Sequence, residues 1–361
     1  MKLFRNPLVY KEWRLSRWIG LLMILNTAVF KIMGLSGRLD SIKYMKVKHP
    51  EYYAREVAHW FNNHLAGNYG PGRYDLLMVF LVAALSVSLF YSERSGSTFG
   101  LLSSMPFKRS RILTIKWLTG MSVIFTVYLI TFAAISVFYT SNREWIFDSY
   151  AIVPQWSLMN MLMYMGVFSA LVLIQCVVGN SLAAGIMGPV IIAAPYFILA
   201  HISGFLRAHL QLKYDQNSFT VILDRIARRI NPYEFVSVSM KEIPLPESVK
   251  KIDDSITYIL YYDNLAIRIV MIVALIAFLF YISRWTYERN RLENTGRLLI
   301  FHELSPVFKL GASLCLGLLL GAMFRGEYGN ENLISMDGFL LAGSALGYFL
   351  AHKSLKLLSG T

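Results

Sequence analysis

Residues 91–117 read YSERSGSTFGLLSSMPFKRSRILTIKW, and they stand between two long apolar runs, Leu76–Tyr91 and Ile112–Tyr139. The stretch is compact, polar and basic: Arg94, Lys108, Arg109, Arg111 and Lys116 oppose a single acid, Glu93. Thr98 to Met105 suffice for about two helical turns, and they carry Phe99, Leu101 and Leu102. Pro106 closes the segment, because proline disfavours helical backbone at the residue before it. Two apolar runs joined by a short basic connection give a membrane hairpin with that connection on the cytoplasmic side. A short, apolar-tipped helix in this place has a good shape for docking on a cytoplasmic partner. An ordinary loop with positive-inside charge has the same composition, so the residues alone leave both readings open.

Outward from this stretch the pattern repeats. Of the 361 residues 55% are hydrophobic and only 16% are charged, against about 25% charged in soluble domains. Apolar runs recur at 18–35, 76–91, 112–139, 156–178, 182–202, 262–285 and 306–324, with a weaker one at 333–351. The expected fold is therefore an all-α polytopic membrane protein with about eight transmembrane helices. Residues 1–17, 92–116, 284–306 and 352–361 hold 5, 5, 4 and 2 Lys/Arg, with only Glu12, Glu93, Glu288, Glu293 and Glu303 as acids. That density places both termini in the cytoplasm. Segments 36–75 and 203–261 then lie outside. Topology accounts for the net charge of +13, and no nucleic-acid partner is needed to explain it.

Local features refine the layout. In residues 1–17, Leu8, Val9, Trp13 and Leu15 oppose Lys11, Glu12, Arg14 and Arg17. This suits a helix lying in the membrane interface, anchored by Trp13, Arg14, Arg17 and Trp18. Charges run on to Arg17 with no small-residue cleavage site after the apolar run, which disfavours a signal peptide. Lys31, near the far end of the first span, is expected to snorkel to the headgroups. A helical stripe is expected near residues 51–65. Pro189 and Pro195 predict a kinked or broken fifth span. Ser218 is expected to cap a helix to Ile230 whose apolar face is Phe219, Ile222, Leu223, Ile226 and Ile230. Gly317-x-x-x-Gly321 and Gly343-x-x-x-Gly347 each offer a small-residue face, so the last two spans are expected to pack as an antiparallel hairpin.

Several kinds of chemistry find no residues to carry them. None of the 24 glycines precedes a lysine, so a phosphate-binding P-loop is excluded. His59 and His64 are five apart and face different sides of a helix, and the other five histidines are scattered, so no metal is expected. No Gly-x-Ser-x-Gly elbow or His-Glu-x-x-His helix occurs. Cys176 and Cys315 lie in apolar runs and read as small buried hydrophobes. With no catalytic, cofactor or metal residues, an enzyme is not expected.

The opening stretch also resembles the first cytoplasmic loop of ABC-2 type (type V exporter-like) ABC transporter permeases. That family's pattern is met by Glu93, Gly96 with Thr98, Leu101 and Leu102, Pro106, Arg109 and Lys116, although Ser97 separates the glycine from the threonine. The resemblance implies a coupling helix that sits in a cleft of a partner ATPase, with Glu93, Arg94, Thr98, Phe99, Leu101, Leu102, Pro106 and Arg109 at the contact. It implies an interfacial elbow helix at 1–17, and a six-span permease core over 18–285 with coupling loop 92–111. It also implies a re-entrant element after span five. Residues 286–361 would add a cytoplasmic linker and a C-terminal two-helix hairpin. ATP and Mg would be bound by a separate ABC ATPase subunit, and a second permease subunit and membrane lipid would be the other partners. The Glu293–Gly296 pattern before Leu298–Phe301 is similar to permeases of Gram-positive cell-wall-stress operons. The implied function is export or extrusion of an amphipathic or cell-envelope-related substrate across the bacterial cytoplasmic membrane. The alternative is a non-transporting scaffold or sensor that binds a ligand or protein through its outer segments.

Overall fold

A computed structural model of the chain describes residues 7–49, 53, 57, 59–67, 73–95, 108–210, 219–243, 257–290, 296–326 and 332–358. Helix dominates it. The helices are α1 (Pro7–Thr27), α2 (Met33–Lys48), α3 (Trp60–Ala66), α4 (Arg73–Ser95), α5 (Arg109–Ser141), α6 (Ile152–Val177), α7 (Ser181–Leu210), α8 (Phe219–Ile230), α9 (Leu265–Arg289), α10 (Ser305–Met323) and α11 (Leu333–Leu358). Among the described residues eight helical runs are long and apolar enough to cross a membrane: Leu8–Lys48, α4, α5, α6, α7, α9, α10 and α11. Each contains or overlaps one of the apolar runs of the sequence.

Three boundaries differ from the sequence reading. Among the described residues no break separates residues 7–17 from the first span. A π-helical turn, Ala28–Ile32, joins α1 to α2, giving one helical run from Pro7 to Lys48. Its buried stripe is Leu8, Glu12, Ser16, Gly20, Met23, Thr27, Lys31, Leu35, Leu39 and Ile42. The three- and four-residue spacing of that stripe carries one face straight through both the charged start and the polar end. The second difference is in α7, which is unbroken although Pro189 and Pro195 lie inside it. Each proline removes one ladder bond, and the remaining bonds carry a helix of 30 residues. The third is a pair of strands, β1 (Ser239–Ile243) and β2 (Thr257–Tyr261), which pair antiparallel with Ser239 opposite Tyr261.

The chain forms two compact units. The first comprises Met1–Leu85, Ile115–Phe168 and Phe235–Phe278. Its aromatic core sets Tyr128 in a stack on Tyr164, with ring centroids 6.0 Å apart, and Phe61 edge-on to Tyr139 at 5.4 Å. Gly120 is required there, since a Cβ would lie 2.0 Å from Phe168 Cζ. Asp148 caps α3 from another segment: its Oδ2 accepts the Asn62 N–H at 2.9 Å, and Oδ1 meets His59 Nδ1 at 2.7 Å. That contact holds His59 in the left-handed region, φ 56°, which is uncommon for a residue with a side chain.

The second unit comprises Ser86–Thr114, Ser169–Glu234 and Leu279–Thr361. In it α8 lies on α7. Ser203 Oγ donates to Thr220 O at 3.0 Å, and Arg207 pairs with Asp224. The side of α8 packed inward is Thr220, Val221 and Ala227, while Phe219, Ile222, Ile226 and Ile230 are exposed. Ser218, the expected cap, lies outside the described residues. The α10–α11 hairpin is close-packed through its glycines. A Cβ on Gly343 would be 2.7 Å from Leu316 O, and one on Gly347 would be 2.6 Å from Ala312 O. On Gly317 it would be 2.9 Å from Leu340 O, and on Gly321 it would be 3.3 Å from Met336 O. Backbone atoms cannot yield cheaply, so Gly317, Gly343 and Gly347 admit little but glycine, while at Gly321 a small shift of the neighbours would be enough.

Candidate functional site

Of the residues expected to dock a partner, Thr98, Phe99, Leu101, Leu102 and Pro106 lie outside the described residues, as does Gly96. Glu93 is on the last turns of α4, and its side chain is likewise outside the description. The two arginines that bracket the loop, Arg94 and Arg109, are described, and both belong to the second unit.

Arg94 closes on the turn between α6 and α7. Its Nη1 donates to Val178 O at 2.8 Å, and its Nη2 to Gln175 O at 2.5 Å. The Gln175 Oε1 and Ser181 Oγ atoms each lie 3.3 Å from Nη1. Carbonyls in the last turn of a helix have no partner within it, and a planar guanidinium can serve two of them from one side chain. Gln175 Nε2 donates across the turn to Ser181 O at 3.1 Å. Asn180 caps α7, its Oδ1 accepting the N–H groups of Leu182 and Ala183 at 3.0 and 3.1 Å. The residue type and place are those of a helix N-cap.

Arg109 starts α5 and donates from Nη1 to Asn290 O at 2.8 Å, just past the end of α9. Asn290 Nδ2 in turn donates to Cys176 O at 3.4 Å. Residues 296–300 complete a collar, with Gly296 N donating to Gly179 O at 3.2 Å and Ile300 N to Val177 O at 2.9 Å. Gly296 has φ 94°, a conformation open to glycine at little cost. Both ends of the loop are thus tied to one turn, residues 175–181, and through it to the ends of α6, α7 and α9. In the sequence Gly179-Asn180-Ser181 is legible only as a tight turn. At the end of α9 Arg289 lies over the Trp285 ring at 3.9 Å, while Arg291 and Glu293 lie outside the described residues.

The first unit holds buried charge that the sequence reading placed at the surface. Glu12, assigned to the polar face of an interfacial helix, is on the buried stripe. Its Oε1 accepts from Lys116 Nζ at 2.9 Å, with side-chain exposures of 2% and 1%. Lys31 does not snorkel. It is buried, with Nζ 5.3 Å from the centre of the Trp156 ring, where cation–π attraction replaces part of the lost hydration. Asp75, expected in an outer loop, is buried near the start of α4 and accepts from Tyr164 OH at 3.0 Å. Burial first, then the positive charges of Lys31 and Arg38, holds the His64 imidazole below its usual range, so it is neutral at pH 7. Of the expected anchors, Trp18 and Arg14 are exposed, Trp13 is half-buried, and Arg17 lies over the Trp18 ring at 5.2 Å. Among the described residues no three His, Cys, Asp or Glu side chains converge as metal ligands would.

The family model described as ABC-2 family transporter protein matches residues 13–200, which is just over half of the chain. Neither the curated proteins nor the solved structures gave a match. The matched stretch covers the helical run from Trp13 through α4, α5 and α6 into α7, together with the Arg94 clamp and the turn it holds. With eight helices apt to span a bilayer and this match, the chain is a multi-pass cell-membrane protein that belongs to the ABC-2 family of transporter proteins.

Proposed function

We propose that the protein is the membrane-spanning subunit of an ATP-driven exporter of an amphipathic or cell-envelope-related molecule. A separate ATPase docks on residues 93–109, on the cytoplasmic side, and a second permease subunit completes the path. The observation that carries this reading is the anchoring of both loop ends. Arg94 and Arg109 are bonded to backbone carbonyls of residues 175, 178 and 290. A push that reaches Arg94 or Arg109 moves helix ends, because each side chain is bonded directly to them. The chain itself has no P-loop, so nucleotide, with its Mg, would be held by the partner. Co-purification provides the test. Reversing charge with Glu93→Lys while changing Leu101 and Leu102 to serine is expected to abolish capture of the ATPase and coupled transport. Retention of both would overturn the proposal.

A further inference from the structure

The sequence of α8, FTVILDRIARRI, sorts into three sides when wound at about 100° per residue. Thr220, Asp224 and the buried Ala227 fall on the side that meets α7. Phe219, Ile222, Ile226 and Ile230, all exposed, fall together within an arc of about 80°. Exposed Arg225, Arg228 and Arg229 take the third side, where Val221 is the buried residue. Packing on α7 accounts for the first side only. An apolar arc beside a basic one is the pattern of a helix held at a membrane surface.

The contacts with α7 fix the depth of the helix. Ser203 Oγ donates to Thr220 O at 3.0 Å, and Arg207 pairs with Asp224, each pair 17 residues apart in sequence. A constant offset means that α8 runs beside α7 in the same direction. α7 has 30 residues, about 45 Å of helix, which matches a bilayer with both headgroup layers at about 40–45 Å. Its last two turns, Ser203 to Leu210, therefore pass from the edge of the hydrocarbon into the headgroups. By the same offset Phe219 and Ile222 are level with Ile202 and Phe205. Arg225 is level with Ala208, while Arg228 and Arg229 lie past Leu210. The apolar arc thus starts at the level of the acyl chains, and the arginines stand among the headgroups.

The charges of α8 are unequal. Its one acid, Asp224, is committed to Arg207, which also donates from Nη2 to Ser203 Oγ at 3.1 Å. The three arginines are on a different side from that network. A guanidinium takes a phosphate through parallel hydrogen bonds, and each basic side chain close to an anionic bilayer strengthens attachment. A second copy of the chain is a poorer occupant. In a two-fold contact it would bring its own three arginines to this face, and like charges would oppose.

We propose that α8 is a lipid-docking element: its apolar arc sits against the acyl chains, and Arg225, Arg228 and Arg229 bind the phosphates of anionic phospholipids at the end of α7. Lipid on one side and the Arg207–Asp224 pair on the other then hold the helix at a fixed depth. This surface needs only that α7 spans the membrane, and it stands apart from the ATPase reading.

The full-length protein in nanodiscs of equal phosphatidylglycerol and phosphatidylcholine tests it, with a photoreactive residue in place of Ile226 and adducts identified by mass spectrometry. Lipid adducts are expected, with phosphatidylglycerol over phosphatidylcholine by about fivefold or more, the effect of one arginine at a charged surface. Changing Arg225, Arg228 and Arg229 together to glutamine is expected to keep the lipid adducts and bring the ratio near one. Changing all three to lysine is expected to keep most of the preference. The same photoreactive residue at Leu341, exposed on α11, is expected to take both lipids equally. An adduct from position 226 to a second copy of the chain in place of lipid would overturn the proposal. So would equal labelling of the two lipids there, or a preference unchanged in the glutamine variant. Each ratio is read within one sample, so it does not depend on how much of a variant folds.

Discussion

Lys116→Met alone is expected to destabilise the protein by about 3–5 kcal/mol, while pairing it with Glu12→Leu restores most of the loss. Lys116 and Glu12 are 104 residues apart, within 2.9 Å of each other and almost wholly screened from solvent. Removing Lys116 takes from the buried Glu12 carboxylate its nearer cation and leaves Lys11 at 4.0 Å, and a buried ion that loses its close partner is costly. Removing both substitutes hydrocarbon for the pair, which measured cases find neutral or favourable. Thermal unfolding in lipid nanodiscs reads the difference directly. A single variant as stable as the parent would mean that water reaches the pair. A double variant no better than either single one would mean that the site depends on packing rather than charge. The pair also joins the first helical run to α5, shortly after the loop that ends at Arg109.

Arg94→Ala is expected to reduce coupled transport by tenfold or more while the protein still folds and still associates with its ATPase. The guanidinium satisfies two carbonyls at the end of α6 and touches Ser181 at the start of α7. Charge-assisted bonds of this kind contribute about 1.5–3 kcal/mol each, so the turn 175–181 loosens from α4 when they go. Lysine brings one charge but no fork, and Arg94→Lys is expected to recover activity only in part. The measurement is transport per ATP hydrolysed, since loosened coupling lowers that ratio even where hydrolysis continues. A ratio equal to that of the parent would show that the clamp plays no part in transmission.

The spans were legible because membrane helices announce themselves by length and hydrocarbon content. The run 112–139 became Arg109–Ser141, and 156–178 became Ile152–Val177. The two glycine motifs of the last helices lie at their contact. What escaped was pairing at a distance. Glu12 reads as the polar face of an interfacial helix until Lys116 is known to face it, and no periodicity connects residues so far apart in sequence. Lys31 was assigned to the surface because its local neighbours are apolar, whereas the Trp156 ring that receives it comes from α6. The strands 239–243 and 257–261 are short, and the segment between them hides their relation. Ser239–Ile243 alternates in polarity only weakly, and the clearer signal was in Thr257–Tyr261, whose Thr, Tyr, Ile, Leu and Tyr are rich in strand-forming types. The α8 face was found correctly as apolar, yet it is turned outward, because Asp224 commits the opposite side to Arg207.

The central claim is that the loop between α4 and α5 is a cytoplasmic foot for a nucleotide-hydrolysing partner. Site-specific photo-crosslinking from Leu101 in intact cells tests it most directly. A photoreactive residue at 101 is expected to yield one major adduct, containing a protein with a P-loop, and its yield is expected to change when ATP is depleted. An adduct to lipid alone, or labelling of position 101 by a reagent that cannot cross the membrane, would contradict the account.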